Sequence, residues 1–256
     1  MRFLRLLPLS LVTLNRGSSL IPSPVPSRSF ASSALSAMSS PFILGVTGPI
    51  ASGKSLVSQI LNEKPIVRYI SSDKLVTYQK GEEVTKAVIS EFGVGLSGSK
   101  EELDRAALGK IVFADREKMA RLESLVWPAV KTAVNSLVAT YSADDKCEYV
   151  VLESAVLLDA GWDVPPSEGS GAGCSCDAVW VVRSDPEVAV QRMIRDRGME
   201  EGDARGRLEA QRERKGLYGE LEGVVGCPYT VITNGEGVEE LRREVEREFR
   251  GLLGEE

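Results

Sequence analysis

The chain has 256 residues, 43% of them hydrophobic and 27% charged, which suits one large or two small domains with a sizeable core and argues against a disordered or coiled-coil protein. Lysine and arginine total 31 against 37 acidic residues, and a net charge of −6 speaks against retention on nucleic acid by bulk positive charge. Histidine is absent, which removes imidazole bases, His-activated nucleophiles and most zinc sites.

The leader Met1–Ser40 carries Arg2, Arg5, Arg16 and Arg28 among many serines and leucines, and no acid precedes Glu63. That composition is that of an organelle transit peptide, and Arg28-Ser29-Phe30-Ala31-Ser32 is similar to a mitochondrial cleavage site. A mitochondrial address is therefore expected, with residues 1–40 outside the fold. Leu6–Leu14 as the apolar part of a secretory signal is the rival reading; a plastid address, or a cytoplasmic protein with an untargeted extension, are the others.

From residue 41 onward the chain reads as one domain. Phe42–Thr47 is a short apolar run that predicts a buried first strand, and it leads into Gly48-Pro49-Ile50-Ala51-Ser52-Gly53-Lys54-Ser55. Leu56, Val57, Ile60 and Leu61 follow at helical spacing. Ile66–Ile70 predicts the second strand, ending at Ser71-Ser72-Asp73. Leu75 to Tyr141 is mainly helical in pattern, with Met119, Leu122, Val126, Ala129, Ala133 and Leu137 in one apolar stripe that Pro128 should kink or break near Trp127. Tyr149–Leu152 predicts a third strand ending at Glu153-Ser154, Glu168–Gly173 a surface loop, Ala178–Val182 a fourth strand and Thr230–Thr233 a fifth. Val238, Leu241, Val245, Phe249 and Leu252 mark a closing amphipathic helix. Apolar strands alternating with helices imply an α/β fold with a parallel sheet covered on both faces.

The pattern Gly48-x-x-x-x-Gly53-Lys54-Ser55, with a strand before it and a helix after it, is a phosphate-binding P-loop. Its glycines let the backbone curl so that the N–H groups of Ile50, Ala51, Ser52, Gly53, Lys54 and Ser55 face one anion, although Pro49 supplies none. The helix N-terminus adds positive potential, the Lys54 ammonium reaches the β- and γ-phosphates of ATP, and the Ser55 hydroxyl suits Mg²⁺. No Asn-Lys-x-Asp is present to read guanine. Glu153 after four apolar residues suits the water-organising acid of an ATPase. The basic cluster Arg192, Arg195, Arg197, Arg205, Arg207, Arg212 and Arg214 suits the mobile cations of a small-molecule kinase. A solvated helix pair is the other reading of that cluster, since acids are interleaved with the arginines. Cys174-Ser-Cys176 has no further close ligands and reads as a pair of loop cysteines; Cys147 and Cys227 complete the set, without a C-x-x-C, and fit a reducing compartment. No uncharged apolar run is long enough to span a membrane.

Beyond the P-loop, an ordered series of segments resembles the dephospho-coenzyme A kinase family: Ile43–Ser55, Tyr69–Asp73, Leu103–Phe113, Leu122–Val130, Leu152–Leu158, Gln191–Gln211 and Thr230–Asn234. The resemblance implies a three-layer P-loop kinase fold with a helical acceptor region over about residues 75–141 and a lid over about 192–214. It implies ATP- and Mg²⁺-dependent phosphorylation of the ribose 3′-hydroxyl of dephospho-CoA. Asp73 is the candidate to accept the hydroxyl proton, with capping of a helix near Lys74 as its alternative. Lys54, Arg192, Arg195, Arg197 and Arg207 would neutralise phosphoryl charge, with Mg²⁺ on Ser55. Asn234 would contact adenine, or else serve as a turn or cap residue. Glu153 would contact the metal's water shell or hold the loop. The sequence departs from the family pattern at Trp127-Pro128 in place of His-Pro, at Ser71 in place of a first aspartate, at Arg195-Asp196-Arg197, and at Pro228-Tyr229 in place of Ala-Asp. A nucleoside- or shikimate-type kinase, or a non-catalytic nucleotide-binding module, would share the cradle.

Overall fold

A computed structural model describes residues 40–75, 82–95, 98, 100–113, 115–164, 175–212, 217–235 and 237–255. The leader's residues 1–39, the expected loop Glu168–Gly173, Cys174 and Arg214 lie outside the described residues.

Each of the apolar runs forms a strand: β1 (Phe42–Thr47), β2 (Val67–Ser71), β3 (Tyr149–Glu153), β4 (Ala178–Arg183) and β5 (Tyr229–Thr233). They make a five-stranded sheet in the order β2-β3-β1-β4-β5, with every neighbouring pair parallel. Parallel strands need crossovers: α1 (Lys54–Asn62) joins β1 to β2, α2 (Ser72–Leu75), α3 (Glu83–Phe92), α4 (Arg105–Phe113) and α5 (Arg116–Ser142) join β2 to β3, α6 (Pro186–Arg197) and α7 (Glu201–Ala210) join β4 to β5, and α8 (Val238–Leu253) follows β5.

Side chains alternate across the sheet, so one set of strand residues faces each helical layer. Phe42, Leu44 and Val46 of β1 pack with Val57, Ile60 and Leu61 of α1 and with Leu241, Val245 and Phe249 of α8. Ile43 of β1 and Val150 of β3 lie in the opposite core with Val88, Leu108, Val126, Val130 and Val134. The closing helix docks from Leu241 onward, and Val238, its first residue, remains 53% exposed instead of joining the face expected of it.

Of the expected kink or break at Pro128, the break does not occur: α5 is continuous over 27 residues with the proline inside it. A proline inside a helix costs about 3 kcal/mol, and burying a valine returns about 1.5–3 kcal/mol. Val126, Val130 and Val134 are all buried along one face, so tertiary packing outweighs the local penalty. These valines take the core line, and Leu122, Ala129, Ala133 and Leu137 of the expected stripe sit partly buried beside it.

A small third core joins α6 to α7 through Ala189, Val190, Met193, Ala204 and Leu208, with Ile50 and Ala51 of the loop after β1 packed against it. All strands run the same way, so the segments following β1, β2, β3 and β5 meet at one edge, where open parallel sheets bind ligands.

Candidate active site

The loop between β1 and α1 has left-handed backbone at Gly53 (φ 98°) and Ala51 (φ 57°), and Gly48 sits at φ 149°. A Cβ on Gly48 would lie 2.1 Å from the Val182 carbonyl oxygen, and one on Gly53 would lie 2.0 Å from Asn234 Nδ2. The glycines are therefore required by β4 and by the segment after β5 as much as by any anion. Ala51 holds its left-handed geometry at a cost of about 1–2 kcal/mol, the local strain that curls successive amides toward one point.

Lys54 opens α1, and its Nζ donates to the carbonyls of Gly48 (2.9 Å) and Pro49 (2.8 Å), so the ammonium crosses the mouth of the loop. Burial lowers its pKa to about 8; Glu153 and Asp73 pull it upward, and Arg197 pushes it down. Two opposite pH trends follow. Between about pH 8 and the ordinary lysine value the unfolded chain holds a proton that the folded chain lacks, so this group's contribution to stability rises with pH. Over the same interval the ammonium that would pair with phosphate is lost. Calorimetric ATP affinity should fall from pH 7 to pH 9, while the melting temperature of wild type gains relative to Lys54→Ala; a parallel fall of both would refute the shift.

Ser55 Oγ donates to Glu153 Oε1 at 2.7 Å, and the Tyr69 hydroxyl donates to Glu153 Oε2. Glu153 is only 6% exposed at the end of β3, and burial of the phenol, followed by this contact, raises the Tyr69 pKa to about 12. Asp73 lies in the first turn of α2, immediately past β2, and is not that helix's N-cap. Its side chain is exposed, yet the protein packed around its base partly desolvates the carboxyl. That desolvation raises its carboxyl pKa; Lys54 opposes the rise, Glu153 adds to it, and the Ser72 hydroxyl, 3.4 Å away, lowers it.

Asn234 is buried after β5 and spends both ends of its amide on the frame: Nδ2 donates to the Ser52 carbonyl at 2.8 Å, and Oδ1 accepts from Arg192 Nη2 at 3.1 Å. Arg192 also donates to the carbonyls of Gly235 and Ala51. The basic cluster thus divides. Arg192 braces the loop, Arg197 is electrostatically coupled to Lys54, and Arg207 lines a cleft of about 1160 Å³ together with Ile50, Arg116 and Trp127. Arg195 turns to Asp196 (2.7 Å), Arg205 to Glu187 and Glu201, and Arg212 to Glu209, which is the solvated-face arrangement.

Tyr69 and Gln211 escaped sequence reasoning as site residues. Gln211 Oε1 accepts from the Ile50 amide at 2.6 Å, so the end of α7 is fastened to the first amide of the cradle. The available signals are a tyrosine two residues before the Ser71-Ser72-Asp73 strand end and a neutral amide in a run of charges.

The dephospho-CoA kinase (CoaE) family model matches residues 42–217, from β1 through both helices of the basic cluster. The chain belongs to the dephospho-CoA kinase family. Dephospho-CoA kinase of Symbiobacterium thermophilum is 34% identical over 216 residues, covering 84% of this chain and 82% of that one. Dephospho-CoA kinase of Geobacter sulfurreducens is 33% identical over 208 residues, covering 80% and 95%. The crystal structure of TT1252 from Thermus thermophilus superposes with a TM-score of 0.61 at 26% identity, covering 84% of this chain and 99% of that one. As a member of the dephospho-CoA kinase family the chain is a P-loop kinase, and the parallel sheet and flanking helices are those expected for it. No helix among the described residues is long and apolar enough to cross a membrane.

Proposed function

We infer that the protein transfers the γ-phosphoryl group of ATP to the ribose 3′-hydroxyl of dephospho-CoA, the last step of coenzyme A synthesis. The observation that carries this reading is the convergence of Lys54, Asp73 and Glu153 in one electrostatically coupled cluster at the mouth of the P-loop, in a chain of this family.

The curled amides of Ala51–Ser55 bind the phosphates, and the Lys54 ammonium, held across the loop, lies on the path of the migrating group. The raised pKa of Asp73 makes it a better proton acceptor than an aspartate at its ordinary value. As the 3′-oxygen bonds to the γ-phosphorus and the bond to the β,γ-bridging oxygen breaks, the hydroxyl proton passes to the Asp73 carboxylate. Ser55 Oγ beside buried Glu153 forms an all-oxygen donor set that fits Mg²⁺. Bound there, the ion would neutralise charge on the β- and γ-oxygens. Tyr69 fixes the far oxygen of Glu153, leaving the near one directed at Ser55.

A coupled assay for ADP over a panel of hydroxyl acceptors tests the reading. Turnover with dephospho-CoA, and none with shikimate or nucleosides, is expected; turnover indifferent to dephospho-CoA would overturn it. Within the arginine cluster, Arg197→Ala should cost turnover about 10²-fold, as for loss of one charge-stabilising donor. Arg195→Ala should stay within about two-fold, because that guanidinium is exposed and engaged by Asp196. Equal effects in steady-state kinetics would show that the division is wrong. The acid-free, arginine-bearing leader supports mitochondrial delivery, which we also propose. Residues 1–40 fused to a fluorescent protein should carry it to mitochondria, and a reporter left in the cytosol would dismiss that address.

A further inference from the structure

Of the tryptophans at 127, 162 and 180, Trp162 and Trp180 are 3% and 0% exposed, whereas Trp127 is only partly buried. Trp127 projects from the middle of α5 and lines two spaces at once. One is a recess of about 180 Å³ shared with Ser72, Asp73, Val126 and Val130; the other is the large cleft shared with Ile50, Met119 and Arg207. The indole is thus the wall between the proton acceptor and the open cleft. Nothing in packing alone explains a large aromatic at this point, since the buried line of α5 is carried by its valines.

We propose that Trp127 is the stacking platform for the purine base of the acceptor, and so a residue that determines acceptor specificity. The inference rests on the function proposed above. If the 3′-hydroxyl of an adenosine unit meets Asp73, the adenine attached to the same ribose lies one sugar away, on the cleft side of the recess, which is where the indole sits. An indole face recognises the flat π-surface of a base, and such stacking is worth about ten-fold to a hundred-fold in affinity. In this arrangement the base would lie between α5 and the α6–α7 pair, and the anionic remainder would have to follow Arg116 and Arg207, since Asp115, Glu123, Asp159 and Asp203 line the rest of the cleft.

Intrinsic fluorescence of the full chain provides the test: Trp127 is the more exposed of the two tryptophans that line the recess, Trp162 being the other, so the part of the quench that Trp127→Leu removes is the reading. Dephospho-CoA should quench it, and 4′-phosphopantetheine, which lacks the base, should not. Trp127→Leu should abolish the quench and raise the KM for dephospho-CoA about ten-fold or more, with the KM for ATP and the melting temperature little changed; Trp127→Phe should recover most of the loss. An unaltered KM for dephospho-CoA in Trp127→Leu, or equal quenching by 4′-phosphopantetheine, overturns the inference. Wild type inert with dephospho-CoA in the ADP assay would defeat the proposed function instead, and the titration reads base stacking without any turnover.

Discussion

Replacing Lys54 with alanine is expected to lower turnover with ATP and dephospho-CoA by about 10²- to 10³-fold, the loss that follows removal of one preorganised donor from a phosphoryl-transfer site. The fold should persist. A buried ammonium whose pKa is drawn down to about 8 is held against its solvation preference, so deleting it relieves a desolvation penalty even as the Gly48 and Pro49 carbonyls lose a donor. Steady-state rates and a thermal melt on the same preparation check both halves. A variant with wild-type turnover would remove Lys54 from the mechanism, and an unfolded one would make it a structural residue.

Asp73→Asn should reduce kcat by about 10²- to 10⁴-fold, the range contributed by a positioned proton acceptor. The amide keeps the shape of the carboxylate and loses its basicity. In wild type, kcat should fall as pH drops through the raised carboxyl pKa, and that acid limb should vanish in the variant. Because Asp73 helps keep Lys54 protonated, the variant should also lose ATP affinity at a lower pH than wild type does. A kcat–pH profile superposable on that of wild type would reassign the proton to another group.

Much of this fold is legible in sequence because its central strands β1, β3 and β4 are largely apolar runs. Phe42–Thr47 begins and ends where its composition says it should. Pro128 was misleading for a physical reason: local propensity is worth a few kcal/mol at most, and the buried valines of α5 supply more. Within the site, Lys54, Ser55 and Asp73 are legible because each follows directly on a strand in a local motif. The arginines are not separable by sequence, since which of them faces the loop depends on how α6 and α7 pack around Met193 and Leu208. Tyr69 and Gln211 were invisible because their partners lie 84 and 161 residues away.

The amide of Asn234 underpins Ser52 across 182 residues of chain. On the ribosome, the glycine-rich turn emerges early, but its keystone arrives only after the final strand has been translated. Nascent chains halted before that point carry the whole signature motif without the hydrogen bond from Asn234 that fastens Ser52.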